Sequence, residues 1–140
     1  MSSSAPVVST RTTDSYISDY DGILTAMNHY VKGVRAGDSA AMKGGFHESC
    51  TFFGYFEGQL LAGPIQMLYD WVDGNGPATD MQVRFAHIDI LNTIAVVRLE
   101  MENVKGKLAG ASGARFSDLF QLIKIDSKWL ISQKSFHWTA

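Results

Sequence analysis

Four consecutive segments rich in β-branched and aromatic residues fill the second half of the chain, and they constrain the fold more than any other feature. They span residues 81–91, 93–104, 115–125 and 128–138, with two short turns and one glycine-rich connection between them. Strands joined by such short connections pair antiparallel, because parallel neighbours need a long crossover. Since the helical patterns all precede these strands, the order predicts an α+β fold and not alternating β/α units.

The first half begins with the pattern of an amphipathic helix. From Ser18 to Val34, apolar residues recur every three or four positions, which is the spacing of one helix face. Gly37 predicts a left-handed end to this helix. Asp38 then caps a second, short helix over residues 39–43, and the two glycines that follow end it.

A hairpin and a third helix complete the first half. Residues 50–61 are aromatic and β-favouring, with Gly54 and Gly58 at bend positions, and they predict a short curved hairpin. Gly63-Pro64 predicts the start of a third helix with proline in its first turn. Residues 74–77, Gly-Asn-Gly-Pro, end it before the first of the four long strands.

Composition and charge limit the partners of such a domain. The 140 residues carry 12 basic and 14 acidic side chains without a basic cluster, so we expect no nucleic-acid partner. Cys50 is the single cysteine, which excludes an internal disulfide and fits a reducing compartment. Neither a signal-peptide pattern nor an apolar run of ~20 residues is present. We therefore expect a cytoplasmic protein without a membrane partner, with residues 1–15 as a disordered or extended tail and residues 16–140 as one domain.

Three stretches resemble the NTF2-like superfamily. Residues 30–38 resemble its helix-end motif, residues 46–50 its helix-to-strand transition, and residues 116–137 the last hairpin of a branch with SnoaL-like and lumazine-binding-like proteins. The resemblance implies a cone, in which a strongly bent antiparallel sheet wraps around three N-terminal helices. It also implies a homodimer through the outer sheet face. In the segment 93–104, alternation then turns one set of side chains to the cone and the other to that outer face.

Within the superfamily, the chain is similar to ketosteroid isomerase at two positions. Tyr30 and Asp118 stand where that enzyme has the tyrosine and the aspartic acid of its oxyanion hole. Burial between aromatic neighbours would raise the pKa of Asp118 and let it share a hydrogen bond with Tyr30. The isomerase's proton-shuttling carboxylate has no counterpart, since residues 51–55 read Thr-Phe-Phe-Gly-Tyr. We therefore reject steroid isomerisation itself.

His47 is the candidate that could supply the missing base. Scytalone dehydratase, a related NTF2-like enzyme, combines cavity histidines with a carboxylate and tyrosines, and His47 with Tyr30 and Asp118 is the nearest match here. Structural alternatives stay open for each residue. Tyr30 could be a core tyrosine, His47 could make a backbone hydrogen bond, and Asp118 could be capped by backbone amides or paired with Lys134.

The remaining candidates concern ligand binding. An aromatic-lined cone with a few polar groups is typical of a small-molecule site, and the residues that we expect to contact a ligand are Tyr30, Phe53, Trp71, Phe116, Asp118 and Lys134. The alternative is that the aromatic residues only fill the core. No metal-ligand spacing or cofactor motif is present, so we expect neither a metal nor a cofactor. Cys50 has the pattern of a small buried hydrophobic residue.

Three function classes remain open. We favour a protein that binds a small, cyclic or aromatic molecule in the cone cavity. The first alternative is a lyase or isomerase of the SnoaL or dehydratase type that uses Tyr30, Asp118 and His47. The second is a dimeric association module whose cavity is filled by its own side chains.

Overall fold

A computed structural model describes residues 15–139 of the chain. Its first helix, α1, spans Tyr16–Ala36. It begins two residues before the predicted start because Ser15 caps it, its hydroxyl accepting a hydrogen bond from the backbone N–H of Ser18 at 3.0 Å. Gly37 ends α1 in the left-handed conformation, with φ of 65°, as predicted. The rest of the predicted tail lies outside the described residues.

Two 3₁₀ turns replace the predicted second helix. They span Ser39–Ala41 and Lys43–Gly45, and the Asp38 side chain caps the first by accepting from the N–H of Ala40. The segment between the cap and the glycines is too short to propagate an α-helix, so it closes the tighter i to i+3 bonds instead.

The predicted hairpin is formed by β1, Phe46–Phe56, and β2, Gln59–Pro64. Its tight turn holds Glu57 and Gly58, both with positive φ. Pro64 is the last residue of β2 and not the first turn of a helix, which corrects the prediction. A proline fits there because it lies on an edge strand, where its missing N–H costs no ladder bond. Helix α2 follows at Gln66–Asn75.

Four long strands complete the chain: β3, Gln82–Leu91; β4, Ile94–Gly106; β5, Gly110–Ile125; and β6, Lys128–Thr139. Each pairs antiparallel with the next, and the sheet order is β2-β1-β6-β5-β4-β3. However, β1 and β6 run parallel, so the sheet is mixed and the expectation of an antiparallel sheet needs correction. The connection between these two strands is most of the chain, which is why a parallel pairing is possible.

The concave face of the sheet and α1 form the core. On β4, Ala95, Val97 and Leu99 are buried while Ile94 and Val96 are exposed, which confirms the predicted alternation. The buried stripe of α1 packs into the concave side, giving the α+β cone. Among residues 15–139, no helix is both long and apolar enough to cross a membrane.

Candidate active site

Three polar side chains meet inside the apolar cone. Tyr30 on α1, Asp118 on β5 and Lys134 on β6 are 2%, 1% and 2% exposed, respectively. We call them the cavity triad. Tyr30 is buried because it lies on the apolar stripe of α1. Asp118 is buried because it lies on the same inward face of β5 as Phe116 and Phe120. The site is thus assembled from three separate elements.

A β-bulge directs Lys134 into the cone. The register of β6 against β5 shifts by one residue at Ser132. Before the shift Ile131 faces the core, and after it Lys134 and Phe136 do. Strict alternation from Ile131 would turn Lys134 to the outer face, so the bulge is what brings the amine to the site.

The triad is connected through one carboxylate oxygen. The Tyr30 hydroxyl donates a hydrogen bond to Asp118 Oδ2 at 3.3 Å, and Lys134 Nζ lies 3.4 Å from the same oxygen. Both contacts are long for groups of this kind. Asp118 Oδ1 is buried and has no hydrogen-bond partner among residues 15–139. The cluster therefore keeps unused hydrogen-bonding capacity in a dry environment.

Aromatic rings surround the lysine amine. Nζ of Lys134 lies 4.8–5.5 Å from four ring centroids, those of Phe136, Tyr30, Phe52 and Phe120. Ring faces attract a cation, but they replace little of the hydration that an ammonium group loses on burial. The environment consequently favours the neutral amine more than water does.

Burial shifts the pKa of each triad member toward its neutral form. Desolvation raises the pKa of Asp118 despite the attraction of Lys134, and it lowers the pKa of Lys134 despite the attraction of Asp118. Desolvation, reinforced by the neighbouring Asp118, raises the pKa of Tyr30 well above its usual value. Cys50 nearby is a buried thiol whose pKa burial raises to about 12, which fits the predicted role as a small hydrophobic residue.

A cavity with about 30 Å³ of room for the centre of a water molecule lies beside the triad. Tyr30 and Lys134 line it, and Asp118 contacts both from behind without lining it. The other lining residues are apolar: Val34, Phe52, Phe56, Leu61, Leu68, Trp71, Val72, Met101, Val104, Phe116 and Phe136. Phe56, Leu61 and Trp71 are only half-buried, so they mark the side of the cavity nearest to solvent.

Besides Asp118, two of the predicted site residues do not line the cavity. Phe53 is 45% exposed on the outer face, and Phe52 takes the inward position because inward residues of β1 alternate through Cys50, Phe52 and Gly54. His47 is half-buried at the start of β1, where its Nδ1 accepts a hydrogen bond from the N–H of Ser49 at 3.0 Å. It does not line the cavity, and the structure thus agrees with the alternative of a backbone hydrogen bond.

Sequence reasoning did not assign several residues that line the cavity, among them Phe52 and Phe136. Gly54, on the neighbouring strand, is the sequence feature that could have indicated the position of Phe136. A Cβ at residue 54 would clash with the Phe136 ring and backbone. The glycine therefore leaves space for this ring beside the Lys134 amine. Among residues 15–139, no three His, Cys, Asp or Glu side chains converge to hold a metal ion.

Comparisons with known proteins agree with this geometry. A family model described as "Putative lumazine-binding" matches residues 18–137. The chain is 30% identical over 123 residues to aldolase FrzH from Cladobotryum sp, a match that covers 86% of this chain and 91% of that protein.

Two solved structures are similar over nearly the whole domain. An NTF2-like protein of unknown function from Methylobacillus flagellatus is 40% identical, with a TM-score of 0.81, over 91% of this chain and 97% of that chain. One from Shewanella baltica is 31% identical, with a TM-score of 0.80, over 91% of this chain and 98% of that chain. The shared architecture is the α+β cone.

Proposed function

We propose a function for this chain on the premise that it belongs to the "Putative lumazine-binding" family of the NTF2-like superfamily. It is an enzyme that binds a small, mainly apolar carbonyl compound in the cone cavity and moves a proton at the carbon next to the carbonyl. This proposal keeps the expected small-molecule site and gives it a reaction, as in the lyase or isomerase alternative, but with Lys134 in place of His47.

The observation that carries the proposal is the buried triad itself. A lysine and an aspartate, both almost fully desolvated, occupy the core of a domain that is otherwise apolar there. Replacing such a pair by apolar residues is often neutral or stabilising by about 1–4 kcal/mol. A core that served only stability would have no use for it, and perturbed ionisable groups at a cavity are typical of functional sites.

Each triad member has a chemical role in this proposal. The Tyr30 hydroxyl lines the cavity and donates a hydrogen bond to the carbonyl oxygen, which stabilises the negative charge of an enolate. Lys134, as a neutral amine, accepts the proton from the adjacent carbon. Asp118 contacts both from behind and is a positioning residue that also exchanges a proton with them.

An enolate held at this position can follow several routes. Reprotonation at another carbon gives an isomerase, loss of a β-substituent gives a lyase, and attack on a second carbonyl gives an aldol addition. The relative named aldolase FrzH supports the class of carbonyl chemistry, since it is 30% identical to this chain.

The small cavity favours a second candidate. The room for the centre of a water molecule is only about 30 Å³, and such a small interior also suits the association module, whose cavity its own side chains fill. The two candidates differ in one measurable property, which is whether the protein acts on a carbonyl compound.

Isotope exchange tests the proposal. Cyclopentanone is incubated with the protein in D2O, and deuterium incorporation next to the carbonyl is followed by NMR. We expect exchange above the rate with heat-inactivated protein, lower by about 10²–10⁴-fold in Lys134→Met and about 10²-fold in Tyr30→Phe. The matched controls Lys128→Met and Tyr55→Phe change exposed residues of the same types and leave the rate unchanged.

Two results would contradict the proposal. Exchange no faster than with heat-inactivated protein would leave the association module. Exchange that is lost in His47→Ala and kept in Lys134→Met would return the role of base to the histidine predicted from the sequence.

We also propose a homodimer through the outer sheet face. Exposed apolar side chains on β4 and β5, namely Ile94, Val96 and Leu119, support it. Light scattering of the wild type and of Leu119→Lys tests it, with a smaller mass expected for the variant. A cytoplasmic location stays a prediction from the sequence.

A further inference from the structure

The lysine of the triad offers more than a proton acceptor. Lys134 lines the cavity with a side chain that is almost fully buried, and the other lining residues are apolar side chains and the phenol of Tyr30. Among the lining side chains it is the one with an amine, and amines attack carbonyl carbons. A compound bound in the cavity therefore lies next to the Lys134 side chain.

We propose that Lys134 forms a Schiff base with the carbonyl carbon of the bound compound. This inference rests on the proposed function, because it assigns a covalent intermediate to the same site and the same class of substrate. It changes the role of Lys134 from base to nucleophile. The iminium group, and not an enolate alone, then weakens the adjacent C–H bond.

The state of the pair supports the nucleophile. Desolvation lowers the pKa of Lys134 and raises that of Asp118, so the neutral amine beside a neutral carboxylic acid is favoured relative to water. An unprotonated amine is the reactive form, and desolvation in a hydrophobic pocket is one established way to obtain it. The rings around Nζ keep out bulk water, which slows hydrolysis of an imine once it has formed.

The steps balance with the groups present. The Nζ lone pair forms a C–N bond while the carbonyl π electrons move to oxygen. This oxygen takes a proton from the Tyr30 hydroxyl, and Asp118 gives its own proton to Tyr30. The nitrogen then gives a proton to Asp118, leaving a neutral carbinolamine. The carbinolamine hydroxyl takes a proton by the same route and leaves as water. The nitrogen lone pair closes the C=N bond as the C–O bond breaks. The products are an iminium, an Asp118 carboxylate and one water molecule. The carboxylate then takes the proton from the carbon next to the iminium, and no oxidant or reductant is needed.

Reductive trapping tests the inference. The protein is incubated with cyclopentanone and sodium cyanoborohydride, which converts an imine into a stable secondary amine, and the adduct is located by peptide mass spectrometry. We expect one cyclopentyl group on Lys134, in roughly tenfold excess over any of the other six lysines. The adduct should disappear in Lys134→Met and persist in Lys128→Met, whose substituted lysine is exposed.

The mapping on wild-type protein needs no variant, so misfolding of Lys134→Met cannot obscure the result. Deuterium exchange of the same ketone is measured in parallel. Exchange without an adduct on Lys134 would overturn the Schiff base and leave the proposed function in place. Neither exchange nor adduct would overturn both. An adduct spread over the exposed lysines, with none on Lys134, would also overturn the assignment of Lys134 as the nucleophile.

Discussion

Among residues 15–139, one lysine–aspartate pair links α1 to β5 and another links β5 to β6, and the two differ in kind. Lys124 Nζ lies 2.8 Å from Asp19 Oδ1, Trp129 Nε1 donates to the same oxygen at 3.2 Å, and both charged side chains are 13% exposed. We call this the rim pair. In the cavity triad, Lys134 Nζ lies 3.4 Å from Asp118 Oδ2, and the side chains are 3% and 0% exposed.

The difference separates a structural contact from a chemical one. The rim pair has short contacts and keeps some access to water, so both of its groups can stay charged. These contacts tie the start of α1 to β5 and β6. The triad has longer contacts, almost no solvent exposure, and one carboxylate oxygen without a hydrogen-bond partner in the described part of the chain. The pair with the shorter contact is thus the one that lies nearer to solvent.

Removing one acid from each pair gives the largest expected loss of stability. Asp118→Ala leaves Lys134 buried without its partner, and we expect it to lower the free energy of unfolding by about 3 kcal/mol at pH 7. Asp19→Ala leaves Lys124 close to water, and we expect a loss of about 1 kcal/mol. Urea unfolding of both variants measures this, and equal losses would remove the distinction between the pairs.

Replacing both members of each pair should reverse the order. We expect the double variant Asp118→Val, Lys134→Met to be at least as stable as wild type and up to about 4 kcal/mol more stable, because two desolvated ionisable groups become hydrocarbon. The double variant Asp19→Val, Lys124→Met should be less stable by about 1 kcal/mol. A loss of stability in the first double variant would mean that the triad holds the fold together.

The dependence of stability on pH sharpens the comparison. The pKa of Asp118 is raised from 3.8, so above pH 3.8 the native state binds more protons than the unfolded state, and stability falls as pH rises to the raised pKa. The pKa of Lys134 is lowered from 10.5, so the native state binds fewer protons above that lowered pKa, and stability rises toward pH 10.5.

We therefore expect the unfolding free energy of wild type minus that of the triad double variant to pass through a minimum between these two limits. Each limb has a slope of at most about 1.4 kcal/mol per pH unit. Urea unfolding at constant ionic strength from pH 4 to pH 9 measures it. A difference that does not change with pH would show that neither group titrates differently in the folded chain.

Salt should give the smallest effect. Raising the ionic strength from about 0.1 M to about 1 M shortens the Debye length from about 10 Å to about 3 Å, which screens charges near water and leaves buried ones nearly unaffected. The loss of stability in Lys124→Met should therefore shrink by a few tenths of a kcal/mol. The change in stability that Lys134→Met causes should not depend on salt. If salt altered the effects of the two substitutions equally, water would have to reach the triad.

Much of the fold could be predicted because it follows from local patterns. The stripe of α1 and its end at Gly37 depend on neighbours in sequence, as do the tight turns that pair β3 to β6. The proximity of Tyr30 and Asp118 followed from the family resemblance, and the pairing of Asp118 with Lys134 was one of the alternatives. Roles in ligand binding and catalysis stay predictions.

Other features could not be predicted because they depend on which face of a strand a residue occupies and on the pairing of strands that are far apart in sequence. Phe53 was expected at the ligand, but adjacent residues of a strand face opposite sides, and the position of Phe52 against β6 decides which one is inside. His47 was expected near Tyr30, yet the start of β1 places it elsewhere. The outcome depended in each case on how a strand meets a partner far away in sequence.

The sequence by itself determined an α+β fold, because helix periodicity, strand alternation and turn residues act over a few positions. The family resemblance implied the cone and the acid and the phenol inside it. The sequence left the pairing of Lys134 with Asp118 as one of two alternatives, and tertiary structure decided between them. A one-residue bulge at Ser132 inverts the parity of β6, and the parallel pairing with β1 sets Phe52 beside the amine. Desolvation of the triad, and with it the chemistry, arises only when these distant strands exclude water together.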